Sequence, residues 1–382
     1  MARRMKLFST KQRDLVHKLA ERYKVGVPPD VERFFDALDA GNYDEAQRLF
    51  RLLRDRDMNG APGDPALKKY WRAIQEAWGA AQQVQLWPAQ QLLDYGNGIL
   101  DSLKPGMVYV GGTDCGCFIC TMLNATTDGE QHVTLTQNAL ADGSYMDYLR
   151  ATIGDSVSLP TADETATAFT QYMEEAKRRL LHDQQFPDEP KQVLEGEDIA
   201  LDGERVTVSG QKAVMAINEM ILQDLVKRNP DQSFALEESF PLKSTYDATT
   251  PLGPIFELNG AKGGNGFTAD MADQAVNYWQ DVSQNLPAGA TAETWAQGYA
   301  HDATAEGNLL AANQYPDQAE QAYQLALAMS PNSVEAIVQL VKLWAGEGRN
   351  DEAGQALDAF LRVNPTAADQ LASMRQLYMR GK

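Results

Sequence analysis

Residues 106–124, Gly-Met-Val-Tyr-Val-Gly-Gly-Thr-Asp-Cys-Gly-Cys-Phe-Ile-Cys-Thr-Met-Leu-Asn, decide how this chain is read. A short apolar run at 107–110 stops at paired glycines, and Thr113-Asp114 then opens a helical pattern. Such a strand–turn–helix passage is where an open α/β sheet holds a ligand. All three cysteines of the protein, Cys115, Cys117 and Cys120, lie in this turn and the helix it starts.

On either side of this passage the pattern alternates. Apolar runs at 132–136, 205–208, 234–236 and 254–258 predict further strands. Helical spacing at 117–124, 144–153, 164–181 and 212–228 predicts the helices between them. Residues 105–260 are therefore expected to form an α/β domain with a mainly parallel sheet. Thr161 and Glu164 stand at capping-box spacing at the start of one helix. The polar stretch 183–204 is an excursion from the sheet, with 199–201 and 206–208 able to close a small hairpin.

Residues 28–104 read as a helical region, with Trp71, Trp78 and Trp87 available for packing. Within it, 34–50 forms two short helices about a Gly-Asn-Tyr turn, and 59–65 is a loop. A helical connector is expected over 261–297. In the segment 298–382, Ala319, Gln321, Ala322, Leu327 and Pro331 recur 34 residues later as Ala353, Gln355, Ala356, Leu361 and Pro365. That period resembles the tetratricopeptide repeat. Two such units must pack on the helices before them, because each buries its apolar face only against neighbours.

The net charge is −19, but residues 1–27 carry +6 and the remainder −25. An acidic body disfavours sequence-independent nucleic-acid binding, which depends on neutralising phosphates. The basic arm 1–27 reads as a solvated terminus, or as a contact for an anionic partner or membrane surface. No apolar run reaches the ~20 residues that span a bilayer, and the amino terminus lacks the apolar core of a secretory signal. Three clustered cysteines make no disulfide framework, and reduced thiols in a cytoplasmic setting are expected.

Several blocks resemble an uncharacterised bacterial family of the Verrucomicrobia and related phyla. Its large members join a multi-pass, glycosyltransferase-like membrane half to a soluble α/β half and end in tetratricopeptide repeats. The matching blocks are Val-Tyr-Val-Gly-Gly-Thr-Asp at 108–114, Thr-Gln-Asn-Ala-Leu-Ala-Asp-Gly-Ser-Tyr-Met-Asp-Tyr-Leu-Arg at 136–150, Val-Met-Ala-Ile-Asn at 214–218, Glu-Glu-Ser-Phe-Pro-Leu at 237–242 and Pro-Leu-Gly-Pro-Ile-Phe at 251–256. They span most of 105–260, and the resemblance implies the soluble half with its repeats. Two departures stand out. The family has Pro-Gly-Arg after Thr-Asp where this chain has Cys115-Gly116-Cys117. It also has aromatic residues and a His where 245–253 is small and bland.

The Gly111-Gly112-Thr113-Asp114 turn has the parts of an anion or sugar site: backbone amides at a helix start, plus a carboxylate. In a parallel sheet the ends of the other strands share its edge, so Thr136, Gln137 and Asn138, and Glu237, Glu238 and Ser239, are candidates to converge on it. Neighbours on a strand point to opposite faces, so one of Glu237 and Glu238 at most faces the cleft. The plainer reading is that Thr113 or Asp114 caps a helix while the glycines make a tight turn. Cys115, Cys117 and Cys120 fit three roles: a structural metal with a fourth ligand from Asp114 or His132, a redox-sensitive thiol, or simple packing. Beyond that metal no cofactor is implied. The glycine-rich stretch 260–266 lacks phosphate-loop spacing and reads as a linker.

Two functions follow as expectations. One is a non-catalytic interaction, scaffold or accessory protein that binds a protein partner through its tetratricopeptide-like helices. The other is a sugar- or nucleotide-binding domain, or an enzyme, at the strand-end cleft, with Gly111, Gly112, Thr113, Asp114, Gln137, Asn138 and Glu238 as the binding residues.

Overall fold

In the computed structural model the described residues are 1–58, 64–194, 196–203, 205–258, 266–372 and 374–375. The 260–265 part of the predicted linker and 59–63 of the predicted loop lie outside them.

In chain order the helices are α1 (Ala2–Tyr23), α2 (Pro29–Asp39), α3 (Tyr43–Met58), α4 (Trp71–Leu86), α5 (Ala89–Leu100), α6 (Asp114–Ala125), α7 (Gly143–Thr152), α8 (Ala162–Gln185) and α9 (Gln211–Arg228). The carboxy-terminal helices are α10 (Ala269–Asn285), α11 (Ala296–Ala312), α12 (Pro316–Met329), α13 (Val334–Gly346) and α14 (Asn350–Val363). The strands are β1 (Val108–Gly111), β2 (Val133–Thr136), β3 (Asp198–Asp202), β4 (Arg205–Ser209), β5 (Phe234–Leu236), β6 (Thr249–Leu252) and β7 (Ile255–Leu258). The chain is about 66% helical with a small mixed sheet, so helix packing carries most of its core.

Two compact units form, each discontinuous in sequence: Met1–Gln82 with Asn124–Gln232, and Gln83–Leu123 with Ser233–Lys382. Residues 105–260 contribute to both.

In the first unit the basic arm is a packed helix, which corrects its reading as a solvated terminus. Met5, Phe8, Gln12, Leu15, Val16 and Leu19 of α1 recur at helical spacing and are buried. Burying each of the larger apolar side chains contributes about 1.5–3 kcal/mol, which holds the helix down. Its cations are engaged within the unit: Arg13 pairs with Asp36 (2.8 Å) and Asp39 (3.3 Å), and Lys11 donates to the Ala125 carbonyl (2.7 Å). Phe50 stacks on both Trp71 and Trp78, with centroids 5.3 Å apart in each case. The Thr161–Glu164 capping box is present at the start of α8. The excursion closes as predicted, β3 pairing antiparallel with β4 with Ile199 opposite Val208 and Leu201 opposite Val206.

In the second unit lie four strands of the mixed sheet, in the order β1-β5-β7-β6. β1 and β5 are parallel, with Val108 opposite Phe234 and Val110 opposite Leu236. β5 with β7, and β7 with β6, are antiparallel. The expected mainly parallel sheet is therefore corrected to a mixed one. Only Gly253 and Pro254 separate β6 from β7, and parallel neighbours need a crossover of a dozen residues or more. Gly253 takes φ +62° at that turn, a left-handed conformation open to glycine.

The helices α11 to α14 follow one another through short connections, each packed on the one before. Positions 34 residues apart are buried alike: Ala319 and Ala353, Tyr323 and Leu357, Ala326 and Phe360. At Gly307 an added Cβ would meet a Tyr323 ring carbon at 2.4 Å, so the absence of a side chain there sets the approach of α11 to α12. No helix among the described residues is long and apolar enough to cross a membrane.

Candidate functional site

The site is built in the second unit, where β1 ends and α6 begins. Thr113 caps α6, its hydroxyl accepting the Gly116 N–H at 3.0 Å. Gly112 lies so close to the end of β5 that a Cβ there would sit 2.3 Å from Ser239 N and 2.4 Å from the Glu237 carbonyl oxygen. Gly116 faces the Glu237 carboxylate, and its Cβ would fall 1.7 Å from Oε2. Two of the glycines in the opening passage thus have one reason, which is to let β5 bring Glu237 into the turn.

Glu237 is 2% exposed and takes the donors that the turn was expected to offer a ligand. Gly112 N–H donates to Oε2 at 2.7 Å and Thr113 N–H at 3.2 Å. The Thr113 hydroxyl donates to Oε1. Tyr95 reaches Oε1 at 3.1 Å and Tyr109 reaches Oε2 at 3.2 Å. The anion in this cradle is the protein's own side chain.

Glu238 points the other way, as strand alternation requires. It is equally buried, and accepts from Leu242 N–H and from the Tyr246 hydroxyl, both at 2.9 Å. Burial, opposed by those two bonds and by the charge on His301, raises its pKa to about 8. His301 of α11 has both ring nitrogens against acceptors, Glu335 Oε2 at 2.8 Å and the Glu238 carbonyl oxygen at 2.7 Å. Burial works against its charge, but Glu335, Asp302 and the Glu238 carbonyl outweigh it and raise its pKa to about 10.

Two further acids of α11, one helical turn apart, complete the cluster. Asp302 is 2% exposed and Glu306 fully buried, and none of their carboxyl oxygens has a hydrogen-bond partner. Burial drives both pKa values well up, with Glu237 adding to the shift of Asp302 and Glu238 to that of Glu306. Burial raises Glu237 as well. Its five donors oppose that rise, whereas at Asp302 only a Tyr95 contact and the charge of His301 oppose it, so the donors favour charge on Glu237 over charge on Asp302.

The predicted residues therefore separate. Gly112, Thr113 and Glu237 come together, with Gly111 ending β1 beneath them. Asp114 is exposed at the first turn of α6, and Glu238 serves Leu242 and Tyr246. Gln137 and Asn138 belong to the first unit, Gln137 buried and Asn138 exposed. There Thr136 accepts from Arg72 (3.1 Å), which also pairs with Glu76 (2.7 Å) and lies 4.5 Å over the Tyr145 ring.

All three cysteines are buried, and none is in a disulfide. Burial pushes Cys115 up to about 12, with the charges of Glu237 and Asp302 adding to it, and Cys120 is raised as well. Such thiols stay protonated, whereas ligands and nucleophiles are thiolates. Among the described residues no group of three or more His, Cys, Asp and Glu side chains has an arrangement that could hold a metal ion. The cysteines pack.

Sequence reasoning missed Tyr95, His301, Asp302 and Glu306. A signal was present for the last three, because α11 is rich in Ala and Gly, and small residues on every side mark a helix that neighbours approach all round.

No protein-family model matches this chain, and neither the curated proteins nor the solved structures contain a match.

Proposed function

We propose that this chain is a non-catalytic accessory or scaffold protein, and that α11 to α14 are two tetratricopeptide-like units presenting a surface to a protein partner. The observation that carries this reading is the repeat of buried positions at 34-residue spacing across consecutively packed helices (Ala319 and Ala353, Tyr323 and Leu357). The inner face of α11 is taken in cis, where His301 holds the Glu238 carbonyl. The partner surface is therefore the outer side of the last pair. Val363, in the last turn of α14, is 74% exposed there, and an exposed apolar side chain of that size suits a contact. Resemblance to the soluble half of a membrane-linked bacterial family makes a membrane-anchored protein the first partner to test.

Ligand binding at the Gly111–Asp114 turn has less support, because Glu237 already takes its donors.

Cross-linking of the full chain, followed by identification of the captured protein, tests the proposal. The reading expects one partner, recovered by wild type and by Phe169→Ser of α8 and lost in Val363→Asp. Recovery of no partner, or equal recovery by Val363→Asp, contradicts it.

A further inference from the structure

Helix α11 meets the end of β5 through acids on both sides. Asp302 and Glu306 stand one turn apart on the helix, and Glu237 and Glu238 follow β5 directly. All four are at most 2% exposed, and no carboxyl oxygen of the α11 pair has a hydrogen-bond partner. Burial raises the pKa of each α11 acid, and across the junction Glu237 adds to the shift of Asp302 and Glu238 to that of Glu306. Ionised together, they would face one another as two like-charge pairs. The basic group at the junction is His301, set between the Glu238 carbonyl (2.7 Å) and Glu335 of α13 (2.8 Å).

Hydroxyls and thiols from the surrounding elements are turned toward these acids: Tyr95 of α5, Tyr109 of β1, Tyr278 of α10, Tyr299 of α11 itself, and Cys115 and Cys120 of α6. Tyr95 reaches Glu237 at 3.1 Å and contacts Asp302, so one hydroxyl serves both. α12 brings Tyr323, bonded to Asn308 (3.0 Å), while β6 and the 290–292 turn carry no titratable side chain. None of these groups supplies a positive charge. Apolar packing offers modest resistance to separation, because the buried positions of α11 include Ala296, Ala300, Ala303, Ala305 and Gly307, and small residues bury little apolar area. Each unpaired charge in the interior carries a large desolvation penalty. Ionisation of the pair therefore works against the seating of the helix.

We propose that α11 is a proton-operated latch: it stays seated on α5, α6 and the end of β5 while Asp302 and Glu306 hold their protons, and withdraws as they lose them, uncovering Cys115. The direction is set by linkage. Both acids are raised when buried, so the seating they permit is complete at low pH and is lost as pH rises toward their folded values. Cys115 reports the event, because its Sγ lies under α11, 3.5 Å from where a Gly298 Cβ would stand. Cys120 sits instead against the Gly96 carbonyl of α5 at 4.0 Å and is uncovered only when the unit unfolds. The latch is on the inner side of α11, so it does not depend on the partner surface of the last helical pair.

Alkylation of the full chain by iodoacetamide tests it. Cys117→Ala/Cys120→Ala leaves Cys115 to be labelled, and Cys115→Ala/Cys117→Ala leaves Cys120. Rates from pH 6 to pH 9 are divided by those of the same chain in urea, which removes the titration of the thiol itself. At pH 9 Cys115 is expected to be at least about tenfold less protected than Cys120. Its protection should fall by about tenfold per pH unit for each proton released on opening. Glu306→Gln should take one such factor out of the Cys115 slope, and Asp302→Asn should do the same if the first variant does not fold. Equal protection of the two thiols at pH 9 means that only global unfolding exposes Cys115, and overturns the proposal. A Cys115 protection that does not change with pH overturns it too, as does a slope that neither amide variant alters.

Discussion

In the first unit Glu76 enters the interior beside Arg72, whose guanidinium lies 2.7 Å away, whereas in the second Asp302 and Glu306 enter it with no hydrogen-bond partner at all. Ordinary burial penalties apply to both. A charge taken out of water costs several kcal/mol unless it is paired, and a carboxyl group without a partner escapes by keeping its proton. Glu76 is therefore half of an ion pair, while burial pushes the α11 acids toward the neutral form and leaves their carboxyl groups a cost to stability. Glu237 is a third solution, an anion satisfied by two backbone amides and three hydroxyls.

Removing the cation is the strongest way to break the comparison. Arg72→Met leaves Glu76 buried alone and should cost about 3–5 kcal/mol in urea unfolding. The loss should be larger at pH 8 than at pH 5, where Glu76 can take a proton. Gly116→Ala comes next. The added methyl meets the Glu237 carboxylate and should cost about 1–3 kcal/mol, as overpacked sites do. Glu306→Met should act with the opposite sign. Removing an unsatisfied buried carboxyl is expected to raise stability at pH 8 by about 1–3 kcal/mol, and a loss of that size would show that Glu306 has a partner.

The pH dependence sharpens the same contrast. Glu238 has its folded pKa raised to about 8, and His301 to about 10. Both shifts are upward, so the stability each contributes is complete below its unfolded pKa and is lost as pH rises through the folded one. Unfolding free energy should therefore fall between about pH 4.5 and 8 through Glu238 and between about pH 6.5 and 10 through His301, and Glu238→Gln should flatten the first part of that decline. The smallest effect belongs to the surface. Thr161→Ala removes a capping box that bears on neither buried group and should cost about 1 kcal/mol at neutral pH.

Local pattern was enough for much of the architecture. Apolar runs bounded by turns marked β1, β2, β4, β5 and β7, and Thr161 with Glu164 marked the start of α8. β6 was missed because Thr249-Thr250-Pro251-Leu252 carries a proline and little apolar weight, and its pairing comes from the tight turn at Gly253. The packing of α1 was legible in the spacing of Met5, Phe8, Leu15 and Leu19, but its seven Lys and Arg residues point to charge instead. The site was legible only in part. The paired glycines pointed to a tight turn or an anion site, and nothing local revealed that Glu237, more than a hundred residues on, fills it. Nothing in the local pattern marks Asp302 and Glu306 as buried, because acidic residues on a helix usually face solvent. Their burial comes from α10, α12, α13 and β6 packed around α11, contacts that no sequence window contains.

The central claim is that the turn is closed by an ionised Glu237 while the acids of α11 stay neutral. Carbon-detected NMR of side-chain carboxyl groups in the full chain at pH 7 tests it most directly, with Glu237→Gln, Asp302→Asn and Glu306→Gln assigning the signals. The account predicts an ionised carboxylate shift for Glu237 and protonated shifts for Asp302 and Glu306. Ionised shifts for all three, titrating together in the ordinary acid range, would contradict it.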